Sequence, residues 1–139
     1  MILVGAEYNS RYHKLVYLMA KLCTGDKHEI PLRHVENSVV ILEKMNNDLF
    51  PYYPSIIGNS LYLPDFLDDI NHLYDFGYLT VTSRRNEGEW FDYFIKIADK
   101  ELIINTLSGI SPEIDEFLEG KYLPECLRSK DFCKLLELT

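Results

Sequence analysis

Three stretches in the first half of the chain repeat apolar residues at helical spacing. Tyr12, Leu15, Val16, Met19, Leu22 and Cys23 fall on one face, predicting a helix that Asn9 or Ser10 caps and Gly25 ends. After a polar turn and Ile30-Pro31, the residues Val35, Val39, Leu42 and Met45 form a second stripe, widened by Val40 and Ile41. A helix apolar on more than one side belongs near the centre of a fold, and this one is expected to stop at Asn46-Asn47-Asp48. From Leu49 to Tyr62, Pro51, Pro54 and Gly58 stand among aromatics and isoleucines, which predicts a loop holding one short strand. Leu63-Pro64-Asp65 opens a third helix with the stripe Phe66, Leu67, Ile70, Leu73 and Tyr74, and Gly77 is its expected left-handed terminator.

The period then changes from helix to strand. Tyr78 to Ser83 and Trp90 to Ala98 read as two strands joined by a turn that begins at Arg84-Arg85. In the second strand Phe91, Tyr93, Ile95 and Ile97 alternate with Trp90, Asp92, Phe94 and Lys96, so one face is better suited to burial. The C-terminal part is helical again: an apolar run from Leu102 to Leu107, a helix capped by Ser111 with Pro112 at its first position and closed by Gly120, and a last helix from about Pro124. That last helix has mixed polarity, and we expect it to pack on a second copy of the chain, giving a homodimer. The fold class predicted is mainly α (α+β): one winged helix-turn-helix domain over residues 1–139, with a two-stranded wing and a helical extension from about residue 102.

Charge changes what that order of elements is expected to do. No lysine or arginine lies between Lys44 and Arg84, and the helix in that interval is expected to turn Asp65, Asp68, Asp69, His72 and Asp75 to solvent. In a winged helix that binds DNA the third helix enters the major groove, where phosphate would repel these aspartates. The formal net charge of -8 opposes non-specific binding to nucleic acid or an anionic membrane as well. With 13 of the 22 acids and 9 of the 14 bases before Asp99, the excess is distributed and not confined to an acidic tail.

Ten tyrosines and seven phenylalanines are more than a small core usually encloses, so Tyr52 and Tyr53 in the aromatic loop are candidates for a partner surface. The apolar opening Met1 to Ala6 lacks a basic lead and is too short to span a bilayer, and three cysteines (Cys23, Cys126, Cys133) in no CxxC pair fit a reducing compartment. A cytoplasmic protein without membrane partners is the expectation.

The run Lys14-Leu15-Val16-Tyr17-Leu18, the segment Tyr52-Tyr53-Pro54-Ser55, and Leu67 to Gly77-Tyr78-Leu79 together resemble the YwgA-like and Panacea-type winged-helix proteins of prokaryotes. Those families tend to have glycine where Tyr53 stands. The resemblance implies a non-enzymatic, regulatory binding module, in the Panacea case one that neutralises toxins through protein contacts.

Residue chemistry for catalysis is sparse. Asp68 and His72 have the i, i+4 spacing of two metal ligands, but that is also the spacing of an ordinary surface pair, and no second His or Cys cluster points there. Pro64-Asp65 with Glu119-Gly120-Lys121 imitates a nuclease pattern but falls at helix ends. His13, His28 and His34 are distant in sequence from two of the cysteines, and no GxSxG, phosphate loop or HExxH occurs. No enzyme activity, cofactor, metal or catalytic residue is expected. The first expectation is protein binding through Asp65, Asp68, Asp69, His72, Asp75, Tyr52 and Tyr53, to a partner of basic character. The alternative is a DNA-binding transcriptional regulator that uses Arg84 and Arg85, where two phosphate contacts alone give a shallow salt dependence and little affinity.

Overall fold

The computed structural model describes residues 11–23, 29–45, 49–50, 52–53, 55–57, 60–85 and 91–120. Their elements run α1 (Arg11–Leu22), β1 (Ile30–Pro31), α2 (Leu32–Met45), β2 (Ser55–Ile57), β3 (Ser60–Tyr62), α3 (Phe66–Asp75), β4 (Leu79–Arg85), β5 (Phe91–Ile97), α4 (Lys100–Leu107) and α5 (Pro112–Gly120). The fold is thus mixed helix and strand, of the α+β class. None of the described helices is long and apolar enough to cross a membrane.

The sheet is antiparallel with strand order β1-β5-β4, pairing Ile30 with Ile95, Leu79 with Ile97 and Val81 with Ile95. This register puts Ile30, Leu79, Ile95 and Ile97 on one face, where all four are buried. The helices cover that face. Val35, Val39, Val40, Ile41 and Leu42 of α2 are all buried, in keeping with a central helix, and join Leu15 to Ala20 of α1 in a single cluster.

Two segments depart from the sequence expectation. Between α2 and α3 a complete hairpin forms, pairing Ser55 with Tyr62 and Ile57 with Ser60, where a loop with one strand was predicted. Pro51 and Pro54 precede its first strand and so remove no ladder donor from it. Arg84 and Arg85 are not in a turn: they are the last two residues of β4, in register with Asp92 and Phe91. The Thr-Val-Thr run before them is strand-forming, and the ladder continues through the arginines.

The C-terminal helices begin as an integral layer and not as an appendage. Ile103 and Leu107 of α4 with Ile114 and Phe117 of α5 lie in the same buried cluster as α1 and α2. Ser111 caps α5 as expected, its Oγ accepting the Ile114 amide at 3.3 Å. Lys100 Nζ donates to the Cys23 carbonyl beyond the end of α1, 2.5 Å away, and burial pushes the Cys23 thiol up in pKa. The cap candidates Asn9 and Ser10, the Gly25 stop, Cys126, Cys133 and the dimer helix from Pro124 lie outside the described residues.

Tyr17 ties α1 to α5 by donating to Asp115 Oδ1 at 2.5 Å. Burial first, and then the bond and charge of Asp115, push its phenol from 10.0 up to about 12. The fold therefore favours the neutral phenol: that contribution is intact below pH 10 and is lost as pH rises toward 12. The melting temperature is expected to fall over this window, and to fall less steeply in Tyr17→Phe; parallel slopes in the two proteins would refute the assignment.

Candidate functional site: the outer face of the third helix

Helix α3 is ten residues long, and its two ends are built differently. It starts from Asp65 in the left-handed region (φ 66°), whose side chain makes no cap bond, while the Asp65 carbonyl accepts the Asp69 amide at 3.0 Å. It ends at Gly77 (φ 83°), with Gly77 N donating to Tyr74 O and Tyr78 N to Leu73 O, each at 3.0 Å. This paired closure needs the positive φ that glycine adopts at no steric cost, and it turns the chain directly into β4.

At about 100° per residue the ten side chains divide into three arcs. Asp69, Leu73, Phe66 and Ile70 form the inner arc and are all buried. Tyr74, Leu67 and Asn71 follow on the hairpin side, and Asp75, Asp68 and His72 complete the circle; these six are exposed. The expectation that α3 turns acids to solvent therefore holds for Asp65, Asp68 and Asp75 and is corrected for Asp69, which is 0% exposed. It is corrected for Tyr52 as well: the ring is buried beneath α3, whereas the adjacent Tyr53 is exposed.

Both corrections have one cause. Arg11, 58 residues earlier in the chain, reaches from α1 to the carboxylate with Nη2 donating to Oδ1 at 3.0 Å. Its Nε stands 2.7 Å from Oδ2 as a charge contact, without an N–H directed along that line. Tyr52 donates its hydroxyl to the same Oδ2 at 2.5 Å. A buried carboxylate is tolerable only with such partners. The guanidinium also lies over two rings, 5.5 Å from the centre of Tyr12 and 5.6 Å from that of Tyr52. Burial works against the Arg11 charge, but Asp69 outweighs it and holds the guanidinium above its ordinary pKa. Burial and then Asp69 push the Tyr52 phenol upward. Tyr52 stacks on Phe50 and meets Phe66 edge-on at 5.7 Å, so the aromatic loop is a support for α3. At the rim, the Tyr12 hydroxyl and His72 Nδ1 are 3.3 Å apart.

Tyr53 also has left-handed backbone (φ 51°), which is strained for an aromatic residue. Its amide donates to Oε1 of the buried Glu43 at 2.9 Å, which fixes the turn that sends Tyr52 inward and Tyr53 outward.

On the hairpin side α3 leaves an open groove of about 410 Å³, lined by Leu32, Leu67, Ile70, Asn71, Tyr74, Val81 and Tyr93. Four of these seven are large apolar residues exposed on the surface, with Leu67 at 58% and Tyr74 at 53%. Val81 and Tyr93 share the inner face of the sheet with Leu79, Ile95 and Ile97, but stand nearer the hairpin tip, beyond what the helices cover. Isolated apolar residues on a surface are ordinary, whereas here four stand around one concavity.

Sequence periodicity assigned Leu67 and Tyr74 to the core and did not identify Arg11, Val81 or Tyr93. One readable signal was present: Asp69 is three residues after Phe66 and four before Leu73, hence in the buried row. The remaining candidates, Arg84 and Arg85, are separated from the α3 acids in sequence and stand at the far end of β4. Among the described residues no group of three or more His, Cys, Asp or Glu side chains gathers to hold a metal. Comparison with known proteins found no matching family model and no match among curated proteins or solved structures.

Proposed function

We propose that this protein is a winged-helix binding module that recognises another protein with the face formed by α3 and the β4–β5 hairpin. Its connectivity supports the fold name: helix, short strand, helix, helix and hairpin, with the small β2–β3 hairpin inserted between the second and third helices and the first strand paired to the second strand of the β4–β5 hairpin. In that scheme α3 stands where a recognition helix stands and β4–β5 is the wing, in line with the YwgA-like and Panacea-type resemblance. The single observation that carries the function is the groove. Leu67, Tyr74, Val81 and Tyr93 present aromatic and aliphatic anchors around one concavity, the composition of a protein-interface core. The same helix face carries Asp68 and Asp75 beside His72 and no lysine or arginine, which opposes insertion beside phosphate.

The test compares the full-length protein with its Leu67→Asp, Tyr74→Asp variant. A partner captured from the source cell, purified and remixed, is expected to bind the parent and to lose at least tenfold in affinity for the variant. Duplex DNA at 50 mM salt is the competing ligand. A gel shift abolished by Arg84→Glu with Arg85→Glu, and indifferent to the groove variant, would replace protein binding with DNA binding.

A further inference from the structure

We infer that the occupant of the groove is a basic amphipathic helix of the partner protein, two turns or more in length. This rests on the protein-binding role proposed above and adds the chemistry of what is bound. Leu67, Asn71 and Tyr74 occupy positions i, i+4 and i+7, a ridge about 10 Å long on the free flank of α3. A ridge of that spacing packs into the matching groove of another helix, and Val81 and Tyr93 supply the second wall. An occupant seated there places apolar side chains at i, i+3 or i+4, and i+7 toward the protein.

The border of the groove fixes the sign of its flanks. Asp75 and Asp68 succeed the apolar arc directly around the helix, Asp65 precedes its first turn, and all three are exposed. Unlike Asp69, none of them is neutralised by Arg11. From residue 45 through residue 83 the chain contributes no lysine or arginine, so the α3 side of the groove is acidic; the bases nearest the lining residues in sequence are Arg33, which follows Leu32 at the start of α2, and Arg84-Arg85 at the end of β4, where Arg85 continues the register row of Val81. Lysine or arginine on the partner helix would meet unpaired carboxylates, whereas an acidic helix would be repelled.

The probe is a displayed library of 16-residue peptides, randomised at every position and selected on the full-length protein. Selected sequences are expected to combine large apolar residues at i, i+3 or i+4, and i+7 with lysine or arginine flanks, and to become helical on binding by circular dichroism. Synthetic copies should bind at least tenfold more weakly to Tyr74→Ala and to Asp68→Lys with Asp75→Lys, substitutions at exposed positions that leave the fold intact. Neutral or acidic winners that still lose affinity on Tyr74→Ala would overturn the basic helix while leaving the protein-binding groove standing. Winners indifferent to Tyr74→Ala would overturn both. Displacement of the selected peptides by a synthetic peptide of residues 121–139, or a dimer dissociated by Tyr74→Asp, would assign the groove to this chain itself.

Discussion

Replacing Arg11 by methionine is expected to cost about 3–5 kcal/mol of folding stability, among the largest effects of any single change in the protein. The reason is the asymmetry of the pair. Asp69 is 0% exposed, so loss of the guanidinium leaves a carboxylate in the interior with the Tyr52 hydroxyl as its remaining side-chain partner among the described residues. The Arg11 side chain is 33% exposed, so in Asp69→Leu the cation can turn toward water, and the cost should be smaller. Removing every polar member at once, in Arg11→Met, Tyr52→Phe, Asp69→Leu, leaves nothing unpaired, and the triple variant is expected to recover most of the stability lost by Arg11→Met. Urea unfolding of these proteins at pH 7 gives the comparison. An Arg11→Met protein within 1 kcal/mol of the parent would mean that Asp69 reaches water and that the pair does not hold α3 in place.

The same network shows where a sequence stops being readable. Periodicity locates α1, α2, α3 and both strands of the long hairpin, because their apolar residues recur at local spacing, while an apolar run marks α4 and the Ser111-Pro112 start marks α5; α1 buries more than its predicted face, since Leu15 to Ala20 are all buried. Gly77 and Ser111 punctuate the chain where their conformations are needed. Local sequence places Asp69 on the exterior, because an aspartate beside Asp68 on an amphipathic helix is usually solvated. Its burial depends on Arg11, a partner 58 residues away that no local spacing can supply. Leu67 and Tyr74 fail in the opposite sense. They extend the stripe of Phe66, Ile70 and Leu73, yet a ten-residue helix resting on a narrow layer covers only four of its side chains. The groove itself depends on tertiary register, since Tyr93 reaches α3 through the pairing of β4 with β5.

Adjacent residues on α3 are therefore expected to behave in opposite ways. Phe66 is 1% exposed and meets Tyr52 edge-on, so Phe66→Ala should cost about 3–5 kcal/mol, combining lost transfer energy with the cavity left behind. Leu67, one position along, borders the groove, and Leu67→Ala should change stability by no more than about 0.5 kcal/mol. Tyr74→Ala should follow Leu67→Ala. A loss of more than 1 kcal/mol in Leu67→Ala or Tyr74→Ala would show that these side chains pack within the fold, and would remove the ground for treating the groove as a binding surface. Near-neutral stability together with weakened peptide binding separates the two roles of the helix: Phe66, Asp69, Ile70 and Leu73 attach it, while Leu67, Asn71 and Tyr74 present it. Folding stability alone would not require leucine and tyrosine at the exposed positions, and their contribution would then be read in affinity for a second molecule.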